Sequence, residues 1–241
     1  MSLRSRIEWL RARDLRVMLE LAALGLLLLI FVKIAHEVTE LDTDWFDHGI
    51  LLALRDAPND PIGPPWFEAA VMHISGLGSG AVATLIVLIA VGYMLLANHW
   101  RYALLMLSTS LGTGLVMHLS KGFFERPRPS IVTHIDPPGG LSFPSGHSMI
   151  SAAMYMTLAV VIARTLPRRR LRIYVVAVGA LLAFLIGLSR VYLGVHYPTD
   201  VLAGWTLGLA WALLCGIIAR KLARKVDPEV AAADEAGDDP S

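Results

Sequence analysis

The chain has little cysteine and little net charge. Its single cysteine, Cys215, cannot form an intramolecular disulfide, so a disulfide framework is excluded. Charged residues account for 17% of the sequence, and the formal net charge at pH 7 is +1. A chain this close to neutral has no excess of basic residues for a phosphodiester backbone, so we predict no nucleic-acid partner.

What the chain has in excess is apolar residues, gathered into long runs. Hydrophobic residues make up 55% of the sequence, and the mean hydropathy is +0.58, whereas soluble domains contain about 45–50% apolar residues. A helix of roughly 20 apolar residues crosses the hydrocarbon core of a bilayer. The sequence therefore predicts an all-α integral membrane protein with six transmembrane helices, at about 17–36, 79–97, 102–119, 147–165, 171–188 and 201–219.

We expect one membrane domain over residues 17–225, because the sequence shows no internal repeat or second core. A basic segment, residues 1–16, precedes it, and the acidic residues 226–241 are predicted to form a disordered cytoplasmic tail. The first apolar run follows several arginines, as in a signal peptide, but it is long for a signal core and no small-x-small cleavage site follows it. We interpret it as a transmembrane helix.

The predicted outer loop at residues 38–78 has an amphipathic segment. Trp45, Phe46 and Ile50 recur at helical spacing, and prolines follow from Pro58 onward. This pattern predicts a short amphipathic helix that lies in the membrane interface and ends before the prolines.

The distribution of Lys and Arg predicts the orientation, because cytoplasmic loops are enriched in both. With both termini in the cytoplasm, the outer segments carry Arg55, Lys121, Arg126, Arg128 and Arg190. The inner segments carry many more, namely Arg4, Arg6, Arg11, Arg13, Arg16, Arg101, Arg164, Arg168, Arg169, Arg170, Arg172, Arg220, Lys221, Arg224 and Lys225. Together with the compact size, this bias predicts a multi-pass protein of a bacterial inner membrane.

Three short motifs carry residues that suit one chemistry. They supply three cations, two histidines and one carboxylate, a set suited to removing a phosphoryl group from an ester. With six spans and an inner N-terminus, all three motifs fall at the outer, periplasmic face. They are Lys121-x6-Arg128-Pro129, Pro144-Ser145-Gly146-His147 and Ser189-Arg190-x5-His196-x3-Asp200.

The cations Lys121, Arg128 and Arg190 lie at the edge of the predicted hydrocarbon, where an unpaired charge is costly. Arginine's planar fork matches two phosphate oxygens, and lysine adds a point charge, so we expect these three to bind phosphate. Arg126 is an alternative to Arg128, but the six-residue spacing leaves Arg126 for a headgroup or structural contact. The same loop holds two ionisable residues for which we predict no role, Glu125 and His134.

The second motif directly precedes an apolar helix. Helix N-termini bind anions because their first N–H groups are unpaired. Gly146 allows the backbone to approach a phosphate closely, Ser145 can cap the helix, and His147 is the candidate general acid for the leaving oxygen.

In the third motif, His196 and Asp200 are four residues apart. Pro198 lies between them and suits the first turn of a helix, which places Asp200 near a helix N-terminus that stabilises its charge. A carboxylate on one imidazole nitrogen fixes the tautomer and presents the other nitrogen as a nucleophile.

In order and spacing, the three motifs resemble the signature of the type 2 phosphatidic acid phosphatase (PAP2) superfamily. The resemblance implies that His196 attacks phosphorus to give a phosphohistidine, which water then hydrolyses, and that the hydroxyl of Ser145 contacts the phosphate. It implies no metal and no other cofactor. The expected substrate is a membrane lipid phosphate taken from the bilayer. Undecaprenyl pyrophosphate and phosphatidylglycerol phosphate are preferred, and phosphatidic acid and lipid A are alternatives.

Four other interpretations fit parts of this pattern. A metal hydrolase is disfavoured because the three cations would repel a divalent ion. A transporter is disfavoured because its charges would lie near mid-bilayer in repeated halves. Vanadium haloperoxidases, which have the same signature, are soluble, and six spans argue against them. A lipid phosphotransferase differs only in what attacks the phosphohistidine and stays an alternative.

Overall fold

The computed structural model describes residues 3–57, 60–135 and 139–226, with side chains from residue 15 to 222 within those ranges. The described chain is helical apart from a small antiparallel ribbon, β1–β2, in which Arg55 pairs with Pro61. In chain order the elements are α1 Leu3–Thr39, α2 Asp44–Ala53, β1 Arg55–Ala57, β2 Asp60–Pro61, α3 Pro65–Gly76, α4 Gly80–Leu96, α5 Trp100–Phe124, α6 Gly146–Thr165, α7 Arg169–Tyr192 and α8 Pro198–Val226.

The predicted spans are confirmed as helices. Among the described residues, five helices are long and apolar enough to cross a membrane alone. The bent pair α3 and α4, whose axes differ by 51° across a short break, gives a sixth span when the two helices are counted together. The predicted second span covers only α4, which is 17 residues long, because the prolines before the bend indicate a loop where the structure has α3.

Local signals set the helix boundaries. Ser79 caps α4 by accepting a bond from the Val82 amide at 3.3 Å. Helix α5 runs five residues past the predicted end, because Phe123 and Phe124 continue it. It stops at Glu125, whose φ of 46° is left-handed. Lys121 therefore lies in the last turn of α5 and not in the loop after it.

Helix α6 is the most buried helix of the bundle and packs against α5, α7 and α8. Its contact with α8 is close because two glycines of α8 face it. A Cβ added at Gly204 would lie 2.6 Å from the carbonyl oxygen of Ser145, and one at Gly208 would lie 2.5 Å from that of Met149. Small residues allow such backbone contact between membrane helices, and here they bring the start of α8 against the start of α6.

The segment before α4 is more ordered than predicted. The amphipathic helix is confirmed as α2, where Leu51 is fully buried and Trp45 is exposed. The prolines that follow end α2 as expected, but Pro65 then starts α3, where proline suits the first helical turn. The predicted disordered tail is residues 226–241, and all of it after Val226 lies outside the described residues.

Candidate active site

The three motifs meet at one end of the bundle. Lys121 lies in the last turn of α5, His147 in the first turn of α6, Arg190 in the last turn of α7 and Asp200 in the first turn of α8. His147 lies close enough to Arg190, His196, Arg128 and Lys121 for their charges to act on its ring. Residues far apart in sequence therefore form one cationic site.

The centre of the site is the pair formed by His196 and Asp200, both of which are buried. The Nδ1 atom of His196 lies 3.3 Å from Oδ2 of Asp200. The same oxygen accepts bonds from the Tyr197 amide, at 2.9 Å, and from the hydroxyl of Ser142. Two further contacts thus hold one carboxylate oxygen against Nδ1 of the imidazole.

The second ring nitrogen of His196 faces a cation. Its Nε2 atom lies 3.2 Å from the NH1 group of Arg128. A guanidinium can only donate hydrogen bonds, so this contact requires Nε2 to carry a lone pair and Nδ1 to carry the proton. This tautomer, inferred from the contacts, directs the nucleophilic nitrogen toward the proposed phosphate site.

Burial also keeps this histidine neutral. Desolvation lowers the pKa of His196 to about 4, and the charges of Arg128 and Arg190 act in the same direction, whereas the bond and charge of Asp200 oppose it. A neutral imidazole is the nucleophilic form. At neutral pH the ring is therefore in the state that can attack phosphorus.

The three cations of the clamp are held by different elements. Arg128 donates to the carbonyls of Val195 at 2.7 Å, Gly140 at 3.0 Å and Gly139 at 3.2 Å. Lys121 donates to the carbonyl of Leu141 at 2.9 Å. Since these carbonyls belong to the loop before α6 and the loop before α8, the cations also fix the loops around the site.

Arg190 is held by a helix that was not predicted. Its NH1 group donates to Oγ of Ser75, on α3, at 2.6 Å, and only 2% of Arg190 is exposed. The break between α3 and α4 lies beside the site as well, because a Cβ added at Gly78 would lie 3.3 Å from the ring of His147. The bent pair therefore forms one wall of the site.

The second motif begins α6 as expected. Ser145 is fully buried and caps the helix, accepting bonds from the Ser148 hydroxyl at 3.0 Å and, more weakly, from its amide at 3.5 Å. Gly146 leaves room for Met117, whose sulfur would lie 2.6 Å from an added Cβ. The cap is thus a feature of the structure, and a phosphate contact by Ser145 stays a prediction.

A buried charge network behind Asp200 was missed from the sequence. Arg126 pairs with Asp200 at 2.6 Å and with Asp47, on α2, at 2.8 Å. Asp47 also accepts from the amide of Thr199 at 3.0 Å and from its hydroxyl at 2.6 Å. The guanidinium lies 4.1 Å from the ring centre of Tyr197. Arg126 therefore makes a structural contact. In the sequence, an acidic residue on the buried face of the amphipathic segment, Asp47, was the one indication of this ion pair.

The loop after α5 holds two further ionisable residues, Glu125 and His134. Glu125 ends α5, and Nε2 of His134 lies 2.6 Å from the carbonyl of Pro129. Among the described residues, no group of three or more His, Cys, Asp and Glu side chains is arranged to hold a metal ion.

Comparison with known proteins identifies the family. The family model described as PAP2 superfamily matches residues 98–224, more than half of the chain and all three motifs. The chain belongs to the PAP2 superfamily. The expectation of a membrane lipid phosphatase is confirmed at the level of enzyme class.

Individual relatives agree with this assignment. The chain is 37% identical to phosphatidylglycerophosphatase B of Bacillus subtilis over 61% of this chain and 73% of that protein. It is 42% identical to an undecaprenyl-diphosphatase of Sulfolobus acidocaldarius, over 30% of each chain. The crystal structure of a transmembrane PAP2-type phosphatidylglycerolphosphate phosphatase from Bacillus subtilis superposes with a TM-score of 0.76 and 30% identity, covering 83% of this chain and 98% of that one.

The network behind Asp200 generates a prediction. Asp47→Asn leaves Arg126 with one charged partner, so we expect the free energy of unfolding in detergent to fall by about 2–4 kcal/mol. At a temperature well below the midpoint of thermal unfolding, kcat should fall while KM changes little. The reason is that Asp47 affects the reaction only through its contact with Arg126, which in turn holds Asp200. Asp42→Asn, at an exposed position near the same helix, is the control. Equal behaviour of the two variants would contradict the network.

The buried histidine generates a second prediction, on pH. Because the pKa of His196 lies below the usual value of about 6.5, its ring should stay neutral as the pH falls through 6 and gain a proton only near 4. NMR of 13C-labelled histidine in the detergent-solubilised protein measures this, with the resonance assigned by its loss in His196→Gln. A midpoint at or above 6.5 would show that desolvation does not control this group.

Proposed function

We propose that this protein hydrolyses a phosphate monoester or pyrophosphate on a membrane lipid, through a phosphohistidine and without a metal ion, at the outer face of the membrane. The observation that carries the proposal is the pair of contacts made by the imidazole of His196: Nδ1 faces Asp200, at 3.3 Å, and Nε2 faces a cation of the clamp. The proposal assigns the residues Lys121, Arg128, Ser145, Gly146 and Arg190 to phosphate binding, and His196, His147 and Asp200 to catalysis.

In the first half of the reaction, Nε2 of His196 attacks phosphorus and the bond from phosphorus to the lipid oxygen breaks. His147, which the negative charge of the bound phosphate keeps protonated among these cations, donates a proton to that leaving oxygen. Asp200 stabilises the imidazolium that forms, through the Nδ1 proton. The cations hold the oxygens of the phosphoryl group while it transfers, a task that many phosphatases assign to metal ions.

In the second half, water attacks phosphorus and the bond from phosphorus to Nε2 breaks. His147, which has lost its proton, accepts one from this water. Inorganic phosphate leaves, and both histidines return to their starting states. The proton balance needs no group beyond the two histidines and the carboxylate.

The substrate class follows from where the site lies. A site at the ends of membrane helices, beside hydrocarbon, lies within reach of the phosphate of a lipid headgroup. Similarity to phosphatidylglycerophosphatase B and to an undecaprenyl-diphosphatase favours phosphatidylglycerol phosphate and undecaprenyl pyrophosphate. Phosphate release from a panel of these lipids, phosphatidic acid and lipid A ranks them, and transfer of the phosphoryl group to a second lipid would identify a phosphotransferase.

Variants of the two histidines test the chemistry. His196→Ala should abolish turnover and leave no trapped phosphoenzyme, because the nucleophile is gone. His147→Ala should be slower by about 10²–10⁴-fold, and its defect should shrink with a nitrophenyl phosphate, whose leaving group needs no proton. His118→Ala, at an exposed position on α5, is the control.

Turnover by the wild-type protein should be unchanged by EDTA with either kind of substrate, since the proposal needs no metal ion. A phosphoenzyme that forms in His196→Ala and is missing in His147→Ala on every substrate would reverse the two assignments. Activity lost in EDTA and restored by a divalent ion would overturn the metal-free mechanism.

Labelling of single cysteines tests the proposed orientation. On a Cys215→Ser background, Ser130→Cys should react with a membrane-impermeant maleimide from outside the cell. Arg169→Cys should react only after the membrane is opened, because the inner segments hold most of the basic residues. Both positions are exposed. The reverse pattern would place the site in the cytoplasm and leave the chemistry unaffected.

A further inference from the structure

Ser142 is a fully buried serine that lies outside all three motifs. It is part of the loop before α6, two residues ahead of Pro144. Its amide donates to the carbonyl of Arg126 at 2.8 Å, which ties this part of the loop to the segment after α5. The serine is thus held at a fixed place between two of the segments that form the site.

The side chain of Ser142 contacts both members of the pair formed by His196 and Asp200. Its hydroxyl donates to Oδ2 of Asp200, and its Oγ atom lies 3.3 Å from Nδ1 of His196. Nδ1 lies at the same distance, 3.3 Å, from Oδ2 of Asp200. The three atoms therefore form a triangle in which the hydroxyl bridges the imidazole and the carboxylate.

One placement of the protons satisfies all of these contacts. A carboxylate can only accept hydrogen bonds, and a guanidinium can only donate them. Arg128 therefore donates to Nε2 of His196, and the ring proton is on Nδ1. The hydroxyl of Ser142 gives its single proton to Asp200, which leaves its lone pairs for the proton on Nδ1. That proton is then shared between two oxygens.

Both oxygens are needed, because neither contact is short. The heavy atoms of an N–H···O bond are usually about 2.9–3.0 Å apart, whereas Oγ of Ser142 and Oδ2 of Asp200 both lie 3.3 Å from Nδ1. Loss of the hydroxyl would leave the Nδ1 proton with one long bond. It would also remove one of the donors that hold the carboxylate in place.

We propose that Ser142 is a positioning residue for the nucleophile, and that its hydroxyl orients the imidazole of His196 and the carboxylate of Asp200 as one unit. This inference rests on the proposed attack by Nε2 of His196. Phosphorylation of Nε2 places a positive charge on the ring, and hydrogen bonds from a charged donor are stronger than those from a neutral one. The oxygen of Ser142 therefore contributes most as the imidazolium forms.

Ser142 is not itself the nucleophile. Its oxygen lies on the Nδ1 side of the ring, beside Asp200, whereas the clamp cation Arg128 lies at Nε2. The hydroxyl keeps its proton throughout the reaction, and no covalent bond to Ser142 forms or breaks.

Two variants of nearly equal shape test the hydroxyl. Valine has a methyl group where threonine has its hydroxyl. Ser142→Val should slow formation of the trapped phosphohistidine by about 10–100-fold, as expected from losing one hydrogen bond to a charged group, and Ser142→Thr should recover most of the rate. KM for nitrophenyl phosphate should change little in either variant, because Ser142 does not contact the phosphate. Equal rates in the two variants would overturn the proposal.

Ser142→Ala adds no volume and covers the case in which the larger side chains prevent folding. It should lose as much rate as Ser142→Val. Its matched control is Ser151→Ala, because Ser151 is also fully buried but its hydroxyl donates to the carbonyl of Ser148, in its own helix, at 3.1 Å. The control should keep the wild-type rate. Equal slowing in the two alanine variants would overturn a specific role for Ser142.

NMR of the resting protein tests the shared proton without turnover. In detergent-solubilised protein with 15N-labelled histidine, the 1H resonance of the Nδ1 proton of His196 is assigned by its loss in His196→Gln. It should move upfield in Ser142→Ala, because one of two acceptors is gone, and stay near its wild-type position in Ser142→Thr. An unchanged resonance in Ser142→Ala would overturn the inference. A wild-type protein that forms no phosphohistidine would instead overturn the proposed function, while this resonance still decides whether Ser142 orients the ring.

Discussion

The constraint on which the site depends is the burial of one carboxylate. Asp200 is fully buried, and a charge taken out of water is stable only if it is paired and hydrogen-bonded. Its partners come from three separate segments: Arg126 after α5, Ser142 before α6, and His196 with the Tyr197 amide before α8. Satisfying this one group therefore brings all three motif segments together and orients the imidazole.

That arrangement also requires two helices to start side by side. The amide of Ser145, at the start of α6, donates to the backbone carbonyl of Asp200 at 3.0 Å. The absence of a side chain at Gly204 allows this contact, because an added Cβ would lie 2.6 Å from the Ser145 carbonyl. The helix whose N-terminus faces the proposed phosphate and the helix that carries the buried carboxylate are thus fixed by the same backbone contact.

The sequence was sufficient for those parts of the structure that have local signals. Apolar length predicted the helices, and the order of the motifs brought His147, His196 and Asp200 to one end. The sequence did not reveal Asp47 or Ser75 as partners of the site, because their contacts are with residues more than 70 positions away in the chain. Helix α3 was missed because four prolines around it indicate a loop, whereas Pro65 starts a helix.

The charges of the assembled site suit the anion that we propose it binds. Four cations lie in and behind it, Lys121, Arg126, Arg128 and Arg190, against two buried carboxylates, Asp47 and Asp200, which leaves an excess of two positive charges. A phosphate monoester carries a charge of about −1.5 to −2 at pH 7. A bound substrate would therefore bring the buried charges close to balance, whereas a divalent metal ion would double the excess. Because loop carbonyls hold Arg128, its guanidinium is positioned beside His196 before a phosphate arrives, and a phosphate would take the place of some of these carbonyls as acceptor.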